Sequence, residues 1–182
     1  MTTALALRLP WRALAAAALV LLVAGGCSLS RPAPVKEAFL VDPPAPAAAD
    51  RAHPGTLRVG AISVAAPFRG RAFVRRTSAV GYEVDFYSEF LVAPAAMIGE
   101  ATARSLDHAG VFARVVPPGA PPEGDYVLDG FVSALYADVR DPGRPMVELA
   151  ITYFLTRNDG TGVVPVWSRE YRRRTALADA TP

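Results

Sequence analysis

Few residues in this chain are placed to do chemistry. There is one cysteine, Cys27, and there are two histidines, His53 and His108. A lone thiol cannot close an internal disulfide, so it is free, paired between chains, or chemically modified. Two histidines and one cysteine at these separations match no zinc or haem spacing, so no metal or other cofactor is expected. A serine hydrolase would need a nucleophile elbow, G-x-S-x-G, which is absent, and His108 would have to act as its base. On a helix beside Arg104, His108 reads better as a solvated side chain. Asp125, Asp129, Asp138, Asp141 and Glu148 could supply an acid/base pair, but carboxylates at strand ends are usually solvated or salt-bridged. Gly160 and Gly162 mark a turn, because no helix or Lys-Ser/Thr pair follows them to hold a phosphate. The chain is therefore expected not to be an enzyme.

The surroundings of Cys27 give the thiol a role. Arg8 and Arg12 lie in a stretch without acids, residues 13–24 form an apolar run of twelve, and Gly25 and Gly26 precede the cysteine. That order is the charged, apolar and small-residue layout of an export signal. The run is too short for a helix across a hydrocarbon core, which needs about 20 apolar residues. The segment resembles a bacterial lipobox, where the cysteine is acylated and becomes the new N-terminus. It departs from that pattern in having Ala24 where leucine is usual. Two or three acyl chains hold a protein stably on a membrane, whereas one is marginal. By the sorting rule of such lipoproteins, Ser28 in place of aspartate favours the outer membrane. The expected location is its periplasmic face, and the expected lipidation site is Cys27.

The formal net charge of +2 rests on the signal, since without Arg8 and Arg12 seventeen basic and seventeen acidic residues remain. A neutral domain gives no electrostatic reason to bind nucleic acid. Removing residues 1–26 leaves about 156, the usual size of one domain. Residues 27–54 contain Pro32, Pro34, Pro43, Pro44, Pro46 and Pro54 among many alanines and read as a semi-stiff tether, reaching tens of ångströms at about 3.1 Å per residue. Within it, residues 36–41 (KEAFLV) could add a short edge strand.

From residue 55 to residue 182 the pattern is that of one domain. Leu57, Val59, Ala61, Ser63 and Ala65 alternate with their neighbours as a buried strand, and residues 72–76 and 82–87 suit a strand pair. Pro94 and Gly110 bracket a helix over 94–109, with Met97, Ile98, Ala101, Ser105 and Ala109 on one stripe. Residues 112–116 form a short strand, and 117–124 a proline-rich loop. A long strand from Tyr126 follows. In the next, Val147, Leu149, Ile151, Tyr153 and Leu155 alternate with Glu148, Thr152 and Thr156, and residues 164–174 complete an antiparallel meander. Strands, one helix and more strands make an α+β fold, an antiparallel or mixed sheet with an amphipathic helix packed on one face.

Arg169, Arg172, Arg173 and Arg174 are the densest charge. On a strand Arg172 and Arg174 face one way and Arg169 and Arg173 the other. The plainer reading is a protected sheet edge. The functional one is contact of Arg169, Arg172 and Arg174 with lipid head groups or an acidic partner. Tyr82, Phe86, Phe90, Trp167 and Tyr171 fit either a lipid groove or an ordinary core.

Taken in order, Tyr82-Glu83-Val84-Asp85-Phe86-Tyr87, Phe90, Leu91, Pro94, the helix, Gly110-Val111-Phe112, Tyr126-Val127-Leu128 and Leu135-Tyr136-Ala137-Asp138 resemble the ABC-type transport auxiliary lipoprotein family. That family includes the lipoprotein component of paraquat-inducible-type systems with MCE domains. The likeness spans residues 57–175. It implies a non-catalytic subunit that works beside an ABC transporter and a periplasmic MCE protein in moving lipid between membranes, and it allows a homo-oligomer. It also implies a further C-terminal helix, which is missing where this chain stops at Pro182. The rival expectation is a structural or assembly lipoprotein of the envelope.

Overall fold

The computed structural model describes residues 35–121 and 124–177. Residues 1–34, which hold the expected export signal and Cys27, residues 122 and 123 of the proline loop and residues 178–182 lie outside the described residues. The elements are β1 (Glu37–Phe39), β2 (His53–Val64), a 3-10 turn (Ala66–Phe68), β3 (Ala72–Arg76), β4 (Tyr82–Phe90), α1 (Pro94–Ala109), β5 (Phe112–Val116), β6 (Tyr126–Asp138), β7 (Met146–Asn158) and β8 (Val163–Ala176). The class is α+β: among the described residues, one mixed sheet of eight strands with one α-helix packed against it.

Strand β6 organises the sheet. Along one edge it pairs in parallel with β2, from Leu57 opposite Tyr126 to Val64 opposite Val132, and further on with β3, where Arg75 and Arg76 face Ala137 and Asp138. Its other edge carries β7 antiparallel over its whole length, and β8 continues the meander. The sheet therefore forks on β6: β2 leads to β5, while β3 leads to β4 and then β1. Helix α1 lies against β2 and β5.

The helix ends where its signals place them. Pro94 occupies the first turn, where a missing N–H costs nothing, and Gly110 closes the last turn at φ 65°, donating its N–H to the Leu106 and Asp107 carbonyls. The buried side is wider than the expected stripe and includes Gly99 and Ala103. A Cβ at Gly99 would sit 3.1 Å from Pro118, so the proline loop covers a second flank of the helix.

Three register shifts change which residues face inward. In β2 the shift between Val59 and Ile62 moves the inward phase, so that Leu57, Val59 and Val64 are buried while Ala61 and Ser63, expected inside, are exposed. In β6 the shift between Val132 and Ala134 sets Ile151 opposite Val132 but Ala150 opposite Ala134. Consecutive residues Ala150 and Ile151 are consequently both buried, and Glu148, expected on the solvated face, is only 2% exposed. In β4 two residues separate Val74 from Ala72 on the partner strand but five separate Val84 from Glu89, leaving a bulge around Asp85.

The short edge strand expected within the tether is present as β1 beside β4, and the rest of the segment expected to be tether, from Val35 onward, also belongs to the folded unit. Phe39 packs on Phe73, its carbonyl accepts from Leu91 N–H, Val41 N–H points to Met97 Sδ, and Ala49 N–H donates to the Ala109 carbonyl. Proline content alone misses this, because extended chain that finds backbone partners and an aromatic pocket is held as firmly as a strand. His53, expected in the spacer, begins β2 and stacks between Phe112 and Tyr126, each 5.0 Å away.

Candidate functional site

The largest concentration of charge lies where β6, β7 and β8 run side by side. Register puts Tyr136, Glu148 and Arg174 in one row across the three strands, with Arg172 opposite Ala150. Arg174 Nε and Arg172 donate to Glu148, the former at 2.8 Å to Oε2. Arg172 also reaches Glu170, and Arg174 lies 3.9 Å from Asp138. Asp138 itself holds Arg140 through two bonds of 2.7 and 2.8 Å. Arg76 donates to the Tyr136 hydroxyl at 3.5 Å and stacks near Tyr82.

Burial pushes the Glu148 carboxyl up, but hydrogen bonds from Arg174, Tyr136 and Arg172 outweigh it and leave the group below its ordinary value. Asp138 is lowered to about 2, chiefly by the hydrogen bond from Arg140. Burial, then the bond to Glu148, raises Tyr136. Both carboxylates are thus ionised and paired, the state of a structural clamp and the opposite of a poised general acid.

The other carboxylates are also engaged. Asp125 Oδ2 accepts from Thr56 N–H and Asp129 Oδ1 from Ala61 N–H, each at 2.8 Å, filling places where β2 loses register with its neighbours. Asp141 Oδ1 accepts from Gly143 N–H in a turn. His108 lines a cleft of about 160 Å³ with Ser105, Arg104, Pro43, Ala45 and Pro46. Among the described residues no hydrogen bond joins Ser105 to His108, and Asp42, the acid close by, pairs with Arg104.

The arginines divide as strand alternation requires. Arg172 and Arg174 are committed to Glu148, while Arg169, opposite Tyr153, stacks 5.3 Å from the Tyr171 ring. The sheet does not gather the five aromatic residues. Tyr82, Phe86 and Phe90 lie on β4 and Trp167 and Tyr171 on β8, with β3, β6 and β7 between them. Glu148, the residue that organises the cluster, is salt-bridged, one of the two states expected for it, but it is buried, which the alternation of β7 does not predict. Counting back from the turn at Asn158 and Asp159 would have set it opposite Arg173, but a shift between Leu155 and Thr156 moves it to Arg174.

No family model matches the chain, and no curated protein matches it. Solved structures do share the fold. The crystal structure of protein XCC0632 from Xanthomonas campestris, of the family DUF330, superposes with a TM-score of 0.60 at 16% identity over 81% of this chain and 79% of that one. An uncharacterized protein matches with a TM-score of 0.59 at 14% identity over 81% and 84%. At these identities the likeness is one of fold: a forked mixed sheet with one helix against it is an architecture that other proteins share.

Proposed function

We propose that this chain is a non-catalytic lipoprotein, anchored through Cys27 on the periplasmic face of the outer membrane, that serves as the auxiliary component of an MCE-type ABC transporter moving lipid between membranes. One observation carries the reading: the residues that resemble the ABC-type transport auxiliary lipoproteins follow one another in order through β4, α1, β5 and β6, within one folded unit. The engagement of every carboxylate discussed above supports a binding or positioning role in place of catalysis. A tethered domain also has a high effective concentration near its membrane, so a weak contact with an MCE protein becomes productive.

The test is a pull-down of the anchored protein from membranes, with Cys27→Ser as the unanchored control and Arg169→Glu as the surface control. Arg172 and Arg174 are unsuitable for charge reversal because they hold Glu148. The expected outcome is recovery of an MCE protein and transporter components with the anchored chain, and fatty-acid labelling that Cys27→Ser abolishes. Recovery of neither component would leave the assembly-lipoprotein reading. One observation favours that reading: all fourteen residues of β8 are exposed, and among the described residues the strand pairs only with β7.

A further inference from the structure

The arm of the sheet farthest from β8 carries an apolar surface that the clamp and the helix do not explain. On β4, Val84 is 69% exposed and Phe86 70%. The bulge is the cause: Asp85 Oδ1 accepts from both Tyr87 and Ser88 N–H at 2.8 Å, which breaks alternation and leaves the adjacent rings of Phe86 and Tyr87 both outside, 5.2 Å apart. Lys36 Nζ sits 4.9 Å from the Phe86 ring centre, and the preceding Val35 is 82% exposed. Scattered exposed apolar residues are ordinary, but a group of them on one strand and its neighbour marks a contact surface.

The position of this surface in the chain indicates what it meets. β1 pairs with β4, so the described chain enters the fold beside Phe86. Only seven residues, 28–34, separate Val35 from Cys27, a span of about 25 Å when fully extended. On the acylated-Cys27 reading, that surface cannot lie far from the bilayer. We infer that Val35, Phe86 and Tyr87, with Val84 just before the bulge on β4, form a membrane-docking edge of the sheet that seats the domain on the lipid surface beside its anchor. Of the nearby acids, Asp85 is spent on backbone N–H groups, Glu89 is paired with Arg71 at 2.7 Å and Glu83 lies opposite Arg75, while the exposed Glu37, opposite Ser88, follows Lys36 directly in the chain. A tyrosine beside a phenylalanine suits the interface, with an apolar body and a polar tip. Attachment is thereby two-point, and the domain has one orientation on the membrane.

The experiment uses the acylated protein in vesicles of phosphatidylethanolamine and phosphatidylglycerol. Cys27 is the chain's single cysteine, so Val84→Cys, Phe86→Cys or, at the far corner of the sheet, Val163→Cys accepts one environment-sensitive fluorophore. The labels at 84 and 86 are expected to shift to the blue and to be quenched by spin-labelled lipid roughly twofold or more beyond the label at 163. Phe86→Asp, at a position too exposed to disturb folding, should abolish the excess quenching at 84. Equal quenching at all three sites overturns the inference. So does shielding of 84 and 86 without lipid that grows with protein concentration, which would assign the face to a second copy of the chain. Failure of the anchor reads differently: the protein does not float with vesicles and Cys27 itself takes the label, and the docking face falls with it.

Discussion

Glu148 shows how one side chain can fix the relation of three strands. Its carboxylate is buried, and its charge is tolerable because Arg172 and Arg174 donate to it from β8 and Tyr136 lies beside it on β6. Removing one partner from a buried pair costs about 3–5 kcal/mol, and the half-exposed arginines here reduce that to about 2–3 kcal/mol. Glu148→Gln is therefore expected to lower the urea midpoint at pH 7 without changing the slope, and to raise hydrogen exchange in β8. Acid should act on the same cluster. Asp138 titrates at about 2 when folded against an ordinary 3.8, and Glu148 is also lowered, so the stability they contribute is complete above their unfolded values and is lost as pH falls toward 2. Asp138→Asn should flatten the loss of stability between about pH 4 and pH 2, as read from urea midpoints across that range. A variant with the same acid limb as the parent would remove Asp138 from the account. The sequence could pair Arg172 with Arg174 on one face but not find their acid. That depended on a one-residue shift between Leu155 and Thr156 and another at Val132, and no glycine or proline marks the second.

Among the elements, legibility followed the punctuation. Pro94 and Gly110 state the limits of α1 outright, and β5 follows at once. The strands are legible, and so is the inward face of β6 with Leu128, Val132, Ala134 and Tyr136, but in β2 and β7 the inward phase changes partway along, because a bulge shifts the inward set and only tertiary pairing locates it. β2 is the clearest case, and here the sequence did hold a clue. Gly60 is required because a Cβ there would lie 2.2 Å from Asp129 Oδ1, the atom that accepts from Ala61 N–H. Gly60→Ala should displace that carboxylate and cost about 1–3 kcal/mol. Asp129→Ala alone should cost less, about 0.5–1 kcal/mol, since Ala61 is exposed and water can replace the acceptor. Once Asp129 is gone the added methyl meets less, so the double variant should be more stable than the sum of the two costs implies. A thermodynamic cycle by urea denaturation measures that coupling, and strict additivity would mean that the glycine serves some other purpose.

For the whole molecule, the decisive question is how much chain separates the folded unit from Cys27, the proposed anchor. Composition makes residues 27–54 a spacer, and a spacer of that length would let the domain range widely from a membrane. The structure places that stretch from Val35 onward on the domain, through the Phe39 ring on Phe73, three backbone donors and the Arg104–Asp42 pair. Of these the aromatic contact and the two bonds to carbonyl oxygens carry most weight. The thioether is a weak acceptor, and the ion pair is exposed. Together they should contribute about 2 kcal/mol after the entropy of fixing the strand is set against them. A chain begun at His53, which keeps all of β2, is then expected to melt roughly 4–10 °C below one begun at Val35, with the same far-ultraviolet signature of the main sheet. Phe39→Ala should produce part of the same shift. Equal melting temperatures would return residues 35–52 to the role of spacer, and the domain would again be free to reach outward. A lower temperature for the shorter chain would mean that the anchor at Cys27, if acylated, holds the domain within about 25 Å of the lipid. Any partner would then have to approach the membrane to meet it.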